Sequence, residues 1–344
     1  MFNLLSNFRV IDIQRTFPQF LKKDTITENS IGAAVDISLF SNVYTLLLPS
    51  EEATDSLLLI LNDSSMFGIV LFAEKNYCNV DSVLVSNDPG YSSQWYLKNT
   101  GQGSGVANKD IHIEPVWNLT RGNSLINIGV LDVGVYTSHS DFGTRVSGDP
   151  PQYFNSSHSH GTMIAGIIGA TQNNGSFISG INGLSNIYSY RILDVNEGGT
   201  QDKYINLQEF ANKIISSAQQ CRIVNYSNRS QLSEVSAVVL AAFSYYSSFD
   251  VAVITAMGNN NGNNRVWPTS FNNNITIGAT KNDGNVAEEY SNYGPWIDIV
   301  APGGTEDGSN SDQIYSLGVA GSTSTAQYSS GTSFSALVSL VLYH

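Results

Sequence analysis

Charged side chains are scarce in this sequence, and basic ones are the scarcest. Lysine and arginine number 16 against 29 acidic residues, and charged residues of all kinds make up 13% of the 344 residues. Proteins that bind nucleic acid need clustered lysine and arginine at the phosphate backbone. We therefore expect no nucleic-acid partner and a surface covered mainly by uncharged polar residues.

Cysteines and long apolar runs are also few. The two cysteines, Cys78 and Cys221, lie far apart and form neither a metal-binding pair nor a disulfide framework. No apolar run reaches the roughly 20 residues that a membrane-spanning helix needs, so no membrane span is predicted. Residues 1–25 interleave charged and amide side chains with apolar ones and lack the uninterrupted apolar core of a signal peptide.

The first 86 residues differ in character from the rest. Residues 42–48 alternate weakly between apolar and polar side chains, residues 51–61 have apolar residues at helical spacing, and residues 68–73 are a second short apolar run. This pattern is βαβ-like and predicts a small α/β unit. Residues 76–89 predict an exposed connector to the next unit.

From about residue 91 onward, apolar strand candidates alternate with helix candidates. The predicted strands span residues 126–131, 187–193, 222–226, 251–256 and 275–279, and the predicted helices span residues 161–170, 207–221 and 233–246. Such alternation predicts an α/β fold, with a mostly parallel sheet covered by helices on both faces. Active sites in these folds gather at the carboxyl ends of the strands.

Four polar residues lie at such positions. Asp132 follows the first of these predicted strands, His160 begins the next predicted helix, Asn259 follows the strand at 251–256, and Ser333 precedes an apolar run that predicts another helix. A hydroxyl, an imidazole and a carboxylate are the groups that nucleophilic acyl transfer requires. A neutral amide and a helix N-terminus can donate hydrogen bonds to the oxyanion that forms.

Taken singly, each of these residues also has an ordinary structural interpretation. Asp132 and Asn259 fit turns, and Ser333 fits a helix N-cap. His158 and His160 form a pair that could bind a metal ion, but no third ligand stands at a recognisable spacing. We therefore expect no metal ion in the chemistry.

Together the four residues, in the order Asp, His, Asn and Ser, resemble the subtilisin-like serine peptidases. Residues 132–134 (Asp-Val-Gly) are similar to the family's Asp-Thr/Ser-Gly block, and residues 160–166 (His-Gly-Thr-Met-Ile-Ala-Gly) to its His-Gly-Thr-x-Val-Ala-Gly block. Residues 331–336 (Gly-Thr-Ser-Phe-Ser-Ala) are similar to its Gly-Thr-Ser-Met-Ala block. The stretch 290–303 also resembles the family, and residues 87–89 with 94–97 resemble the start of its mature domain. The resemblance therefore extends over about residues 87–344.

The resemblance implies a serine endopeptidase that hydrolyses protein or peptide substrates through an acyl-enzyme intermediate. Ser333 would be the nucleophile, His160 the general base and Asp132 the carboxylate that orients the imidazole. Asn259 would donate to the oxyanion. The substrate-binding residues that the family's pattern implies are Ser227, Asn228, Arg229, Ala256 and Gly258. No cofactor is required for this chemistry, and structural calcium is compatible with the family. The alternative is a catalytically silent binding or interaction module, or an inactive fragment.

Residues 1–86 lie where the family often carries an inhibitory propeptide. The resemblance therefore implies a propeptide-like region that acts as an intramolecular inhibitor, followed by a catalytic domain at residues 87–344. A plain N-terminal domain without processing is the alternative. A disulfide between Cys78 and Cys221 would tether a propeptide after cleavage, so we expect both thiols to be unpaired.

The family further implies a secreted, monomeric protein. Because only residues 334–344 follow Ser333, we expect the catalytic domain to be incomplete at its C-terminus. Two departures from the family's pattern bear on function. Val133 replaces the hydroxyl residue that usually follows the aspartate. The triplet at 227–229, Ser-Asn-Arg, stands where the family typically has Ser-Leu-Gly, so Arg229 predicts a narrower cleft or attraction of an acidic residue.

Overall fold

The computed structural model describes residues 7–23, 25–28, 34–63, 66, 69–71, 73–75, 85–195, 202–228, 236–263, 267–269, 274–306 and 309–338. Cys78, Arg229 and residues 339–344, on which predictions were made, lie outside these residues. The chain divides into two compact units, Met1–Asp81 and Ser82–His344, while the predicted boundary follows residue 86. In the part that is described, no helix is both long and apolar enough to cross a membrane.

In its described residues, the N-terminal unit contains two strand pairs and one α-helix. Its elements are β1 (Asp12–Arg15), β2 (Ile26–Glu28), β3 (Ala34–Asp36), β4 (Tyr44–Leu47) and α1 (Glu51–Leu61). β1 pairs with β4 and β2 pairs with β3, both antiparallel. The strand expected at 42–48 and the helix expected at 51–61 are confirmed. The helix begins where the Ser50 hydroxyl accepts a hydrogen bond of 3.2 Å from the Ala53 N–H.

The βαβ-like pattern is wrong at the second apolar run, residues 68–73, as far as this run is described. The N–H groups of Ile69 and Val70 donate to the carbonyl oxygen of Met66 at 3.0 and 3.1 Å, which forms a turn. Ile69 is 68% and Leu71 78% exposed. The run therefore buries too little apolar surface to be held in a sheet.

The second unit is built on strands and helices that alternate along the chain. Its strands are β5 (Asn127–Asp132), β6 (Val146–Gly148), β7 (Asn186–Arg191), β8 (Leu193–Val195), β9 (Asp202–Tyr204), β10 (Ile223–Tyr226), β11 (Ala252–Ala256), β12 (Asn274–Thr280), β13 (Ile299–Pro302), β14 (Ile314–Ala320) and β15 (Thr323–Ser329). Its helices are α2 (Ile113–Leu119), α3 (His160–Gly169), α4 (Leu207–Gln220), α5 (Ala237–Phe243), α6 (Tyr245–Ser248) and α7 (Thr332–Val338). The sheet has seven strands in the order β13-β12-β11-β10-β5-β7-β6, and every pair in it is parallel. The predicted α/β class is confirmed.

Helices cover both faces of this sheet because successive strand residues point to opposite faces. Ile128 and Val130 of β5 pack in one apolar cluster with α3 and α7. Leu131 packs in a second cluster with α4 and α5. Residues Gly161 to Gly169 of α3 are all buried. This burial anchors the first residue of the helix, His160, at the carboxyl edge of the sheet.

Strands β14 and β15 form an antiparallel hairpin that the sequence reasoning missed. Gly321 and Ser322 connect them with φ angles of 56° and 63°, the left-handed conformation of a tight two-residue hairpin turn. The dipeptide Gly-Ser between two extended segments is the signal that could have predicted it. The hairpin leads directly into α7.

The predicted helix at 233–246 is two helices where it is described, since α5 ends at Phe243 and α6 begins at Tyr245. The predicted connector, residues 76–89, is not exposed throughout its described part. Asp88 is 3% exposed, and its carboxylate accepts hydrogen bonds of 3.0 to 3.1 Å from the N–H groups of residues 173–175.

Candidate active site

Asp132 and His160 meet at the carboxyl edge of the sheet. Asp132 ends β5 and is fully buried, and His160 begins α3 with a side chain that is 33% exposed. His160 Nδ1 lies 2.9 and 2.8 Å from the two carboxylate oxygens of Asp132. An added Cβ at Gly161 would lie 2.3 Å from the Gly134 carbonyl oxygen, so only glycine lets the helix begin this close.

This contact determines which imidazole nitrogen can act as a base. A carboxylate accepts hydrogen bonds and, when ionised, has none to donate. His160 Nδ1 therefore carries the hydrogen that points at Asp132, and Nε2 carries the lone pair. An imidazole held in this tautomer can take a proton at Nε2 while the adjacent carboxylate stabilises the positive charge.

Ser333 lies at the second position of α7, where the chain leaves the β14–β15 hairpin. It is 9% exposed, and its Oγ donates to the carbonyl oxygen of Ser227 at 3.1 Å. The Ser227 hydroxyl donates in return to the Ser333 carbonyl oxygen at 3.1 Å. These two bonds hold the start of α7 at the carboxyl end of β10.

The residue after Ser333 contacts the imidazole. The ring of Phe334 is 2% exposed, and its centroid lies 5.7 Å from that of His160, at 53° between the ring planes. The start of α7 therefore lies beside the face of His160. A proton transfer from Ser333 to His160 would require the Ser333 hydroxyl to exchange its bond to the Ser227 carbonyl for one to Nε2.

Asn259 is held beside the start of the same helix. Its Oδ1 accepts from the Thr332 N–H at 3.0 Å and from the Thr332 hydroxyl at 2.7 Å. The Thr332 hydroxyl in turn accepts from the Gly258 N–H at 3.0 Å. An added Cβ at Gly331, where φ is +145°, would lie 2.9 Å from Asn259 Nδ2. Because Oδ1 of Asn259 accepts both bonds from Thr332, the N–H donors of this amide point away from Thr332.

The family model for the Subtilase family matches residues 123–341. The chain belongs to the subtilase family.

Individual relatives agree with this assignment. The chain is 31% identical over 245 residues to a thermophilic serine proteinase of Bacillus sp. (strain AK1), which covers 68% of this chain and 55% of that protein. It is 29% identical over 285 residues to the cell wall-associated protease of Bacillus subtilis (strain 168), which covers 77% of this chain and 30% of that protein. The chain therefore spans about half of the first relative's length and less than a third of the second's.

Solved structures show the same fold. A protease from Pseudoalteromonas arctica superposes with a TM-score of 0.63 at 22% sequence identity, over 74% of this chain and 84% of that one. At this identity the likeness concerns the fold alone. The predicted subtilisin-like α/β architecture is thus confirmed.

Three of the residues expected to bind substrate in this subtilase, Ser227, Asn228 and Gly258, contact Ser333, Asp132 and Thr332. Ser227 is 6% and Ala256 4% exposed, at the ends of β10 and β11. Gly258 donates its N–H to Thr332, and its carbonyl oxygen accepts from the Asn292 N–H at 2.9 Å. Asn228 is partly buried beside Asp132, with Nδ2 3.5 Å from Oδ2. Arg229 lies outside the described residues.

Two residues of this subtilase's site were missed by sequence reasoning. The sequence pattern assigns no role to Thr332, although a hydroxyl next to the candidate nucleophile is a signal that points to it. Phe334, in the same block, has no role assigned either. Only the folded chain shows that they contact Asn259 and His160.

Two titratable groups lie on the segment after Asp132. Burial raises the pKa of Asp141 to about 6, although Asn174 Nδ2 and the Ile178 N–H donate to its oxygens at 2.7 and 3.1 Å. Burial lowers the pKa of His139, which is 1% exposed. Its Nδ1 accepts from the Asp141 N–H at 3.2 Å, so Nε2 carries the hydrogen and donates to the Thr325 carbonyl oxygen at 2.9 Å.

Structural calcium remains a prediction for this subtilase. Among the residues that the structure describes, no group of three or more His, Cys, Asp or Glu side chains is placed to hold a metal ion. The buried carboxylate oxygens of Asp88 and Asp141 accept hydrogen bonds from protein donors. Cys221 is a free, buried thiol, while Cys78 lies outside the described residues.

Proposed function

We propose that this chain is the catalytic part of a serine endopeptidase that cleaves protein or peptide substrates. The observation that carries the proposal is the contact of His160 Nδ1 with both oxygens of the buried Asp132, at 2.8 and 2.9 Å, beside the helix that begins with Thr332 and Ser333. Family membership supports the same chemistry. Because the chain spans only part of its relatives, the activity of the whole protein is a proposal.

In the proposed reaction, Ser333 Oγ attacks the carbonyl carbon of a peptide bond. His160 Nε2 takes the hydroxyl proton as the new C–O bond forms and then gives it to the leaving amine as the C–N bond breaks. Asp132 keeps the imidazole in the required tautomer and stabilises the imidazolium. A water molecule, deprotonated by His160, then attacks the acyl carbon. His160 returns the proton to Ser333 Oγ as the bond between that oxygen and the acyl carbon breaks, which releases the carboxylic acid product.

The oxyanion of the tetrahedral intermediate would be bound by Asn259 Nδ2 and the Ser333 N–H. The Asn259 amide would need little reorganisation during the reaction, because its two bonds to Thr332 already orient it. The N–H of Ser333 lies at the first turn of α7, where main-chain donors have no partner within the helix. The geometry of Asn259 follows from its two bonds to Thr332.

The main chain of residues 227–229 and of residues 256–258 would line the substrate cleft. The two segments follow neighbouring parallel strands, β10 and β11, which bring their carboxyl ends to one edge. Ser227 and Ala256 are almost fully buried, so they would contribute main-chain groups more than side chains. The effect proposed for Arg229, a narrower cleft or attraction of an acidic residue, rests on the sequence.

The N-terminal unit would act as an intramolecular inhibitor that is cleaved from a precursor. Its division from the second unit near residue 81 supports a separable segment. Export is proposed because a relative is named as cell wall-associated and because the surface is poor in charge. A monomer is proposed on the family resemblance.

The test is labelling with a fluorophosphonate, which forms a covalent bond to an activated serine. We expect the probe to label Ser333 in the unmutated chain and to leave Ser333→Ala unlabelled. Ser335→Ala is the matched control in the same helix and should be labelled like the unmutated chain. Intact mass should also show loss of an N-terminal piece that Ser333→Ala retains. A folded, unlabelled chain would contradict the proposal and favour a catalytically silent module.

A further inference from the structure

The carboxylate of Asp132 has hydrogen-bond donors on both of its oxygens. Oδ1 accepts from the Val133 N–H at 2.8 Å and lies 2.9 Å from His160 Nδ1. Oδ2 lies 2.8 Å from the same imidazole nitrogen. The other polar atom near Oδ2, among the described residues, is Asn228 Nδ2 at 3.5 Å. The side chain of Asp132 is fully buried.

A buried carboxylate of this kind needs donors because burial disfavours its charge. The side chain at position 133 cannot help, since valine has no polar atom. Leucine, the residue that the family typically has at position 228, could not help either. In this chain the side chain at position 133 has no polar atom, and the side chain at position 228 carries an amide.

The amide of Asn228 spans two acceptors at the end of β5. Nδ2 lies 3.5 Å from Oδ2 of Asp132 and 3.5 Å from the carbonyl oxygen of Leu131. An amide nitrogen has two hydrogens, one for each acceptor. Both distances are long for a resting hydrogen bond, and bonds in catalytic sites often tighten only when the reacting charges form.

We propose that Asn228 is a positioning residue for the Asp132–His160 pair, which replaces the donor that Val133 lacks. By donating to Oδ2, it holds the carboxylate plane so that both oxygens face His160 Nδ1. The inference rests on the proposed function, and it gives Asn228 a role toward the carboxylate rather than toward the substrate. Its effect should fall on the chemical step.

The test is a double-mutant cycle between positions 228 and 133. Asn228→Leu removes the amide, Val133→Ser restores a hydroxyl donor beside Asp132, and the double variant carries both changes. Asn212→Leu, at an exposed position of α4, is the control for an asparagine-to-leucine change. Asn228→Ala, which adds no apolar volume, serves in case Asn228→Leu does not fold.

We expect Asn228→Leu to lower kcat about tenfold and to change KM less than about twofold, because the lost bond goes to a charged group of the catalytic unit. Val133→Ser should restore kcat in the double variant to within about threefold of the unmutated chain. Asn212→Leu should match the unmutated chain. A rise in KM with unchanged kcat, or a double variant no better than Asn228→Leu, would overturn the proposal.

A second measurement does not need activity. The chemical shifts of the His160 imidazole nitrogens can be measured by nitrogen-15 NMR in Ser333→Ala, with and without Asn228→Leu, and they report which nitrogen carries the hydrogen. Loss of the amide donor leaves the Asp132 carboxylate less firmly oriented, so the fraction of the tautomer with its hydrogen on Nδ1 should fall in the Asn228→Leu variant. Unchanged nitrogen shifts would refute the positioning role. If the unmutated chain has no peptidase activity but this change is observed, the proposed function fails and the role of Asn228 stands.

Discussion

The hydroxyl of Thr332 donates to Oδ1 of Asn259 at 2.7 Å while it accepts from the Gly258 N–H at 3.0 Å. One side chain therefore joins the end of β11 to the start of α7. The bond also decides the orientation of the Asn259 amide, because an amide whose oxygen is committed must present its N–H groups elsewhere. The donor proposed for the oxyanion depends on this neighbour.

Thr332→Val should lower kcat with little change in KM, because it removes the hydroxyl that orients Asn259. Asn259→Ala sets the upper limit for the loss of kcat, at about a hundred- to a thousandfold. That is the cost of losing such a donor in subtilisin, which is a member of this family. Thr332→Ser keeps the hydroxyl and should retain most of the activity. Steady-state kinetics on a peptide substrate would measure all three. Equal losses in Thr332→Val and Thr332→Ser would show that the methyl group matters instead.

Asp132→Asn should reduce kcat by about ten thousandfold while the fold is preserved. An amide at this position can donate to His160 Nδ1, which favours the tautomer with its hydrogen on Nε2 and removes the base. The rate of fluorophosphonate labelling of Ser333 should fall in parallel. Thermal unfolding of the variant provides the control. Labelling at the unmutated rate would show that Asp132 is not required to orient His160.

Ser335→Ala should stabilise the domain by about 1 kcal/mol. Ser335 is fully buried in α7, and its Oγ has no hydrogen-bond partner among the described residues. Replacing an unsatisfied buried hydroxyl with a methyl group removes a desolvation cost. Denaturant unfolding of the two proteins would measure the difference. A destabilised variant would mean that the hydroxyl has a partner.

The buried carboxyl of Asp141 should favour folding more at low pH than at neutral pH. Its pKa rises from an ordinary 3.8 to about 6 in the folded chain, mainly through burial. Between these two pKa values the folded chain binds more protons than the unfolded chain. The contribution of Asp141 to stability therefore falls as pH rises, and it is constant above about pH 6. Melting temperatures of the unmutated chain minus those of Asp141→Asn should therefore increase as pH falls from 7 to 4. A constant difference would contradict the raised pKa.

His139 should have the opposite effect on stability. Burial lowers its pKa below the ordinary 6.5, so the folded chain keeps it neutral where the unfolded chain takes up a proton. This group stabilises the fold at pH values above its ordinary pKa. The stabilisation is lost as pH falls from the ordinary pKa toward the lower pKa of the folded chain. His139→Gln keeps a donor for the Thr325 carbonyl. The stability of this variant should depend less on pH over that range. The melting temperature of the unmutated chain minus that of His139→Gln should decrease as pH falls, and an increase would refute the prediction.

Local periodicity predicted those elements whose pattern is set by their own residues. The helix expected at 207–221 is observed at Leu207–Gln220, and it begins where Asn206 Oδ1 accepts from the Glu209 N–H at 2.9 Å. The hairpin strand β15 was missed because its sequence, Thr-Ser-Thr-Ala-Gln-Tyr-Ser, has no apolar face. It is held by pairing with β14, which is a property of its partner and not of its own residues.

The amino-acid sequence by itself predicted the four candidate site residues and determined their order and the family, because residue types and short blocks are local properties. Only the tertiary structure decided the distances: it brings His160 to within 3 Å of Asp132, Ser227 against Ser333, and Asn228 toward the same carboxylate. These partners lie 28, 106 and 96 residues apart along the chain. Parallel pairing brings these partners together, because it places the carboxyl ends of β5, β10 and β11 on one edge of the sheet. No local pattern specifies which strands become neighbours.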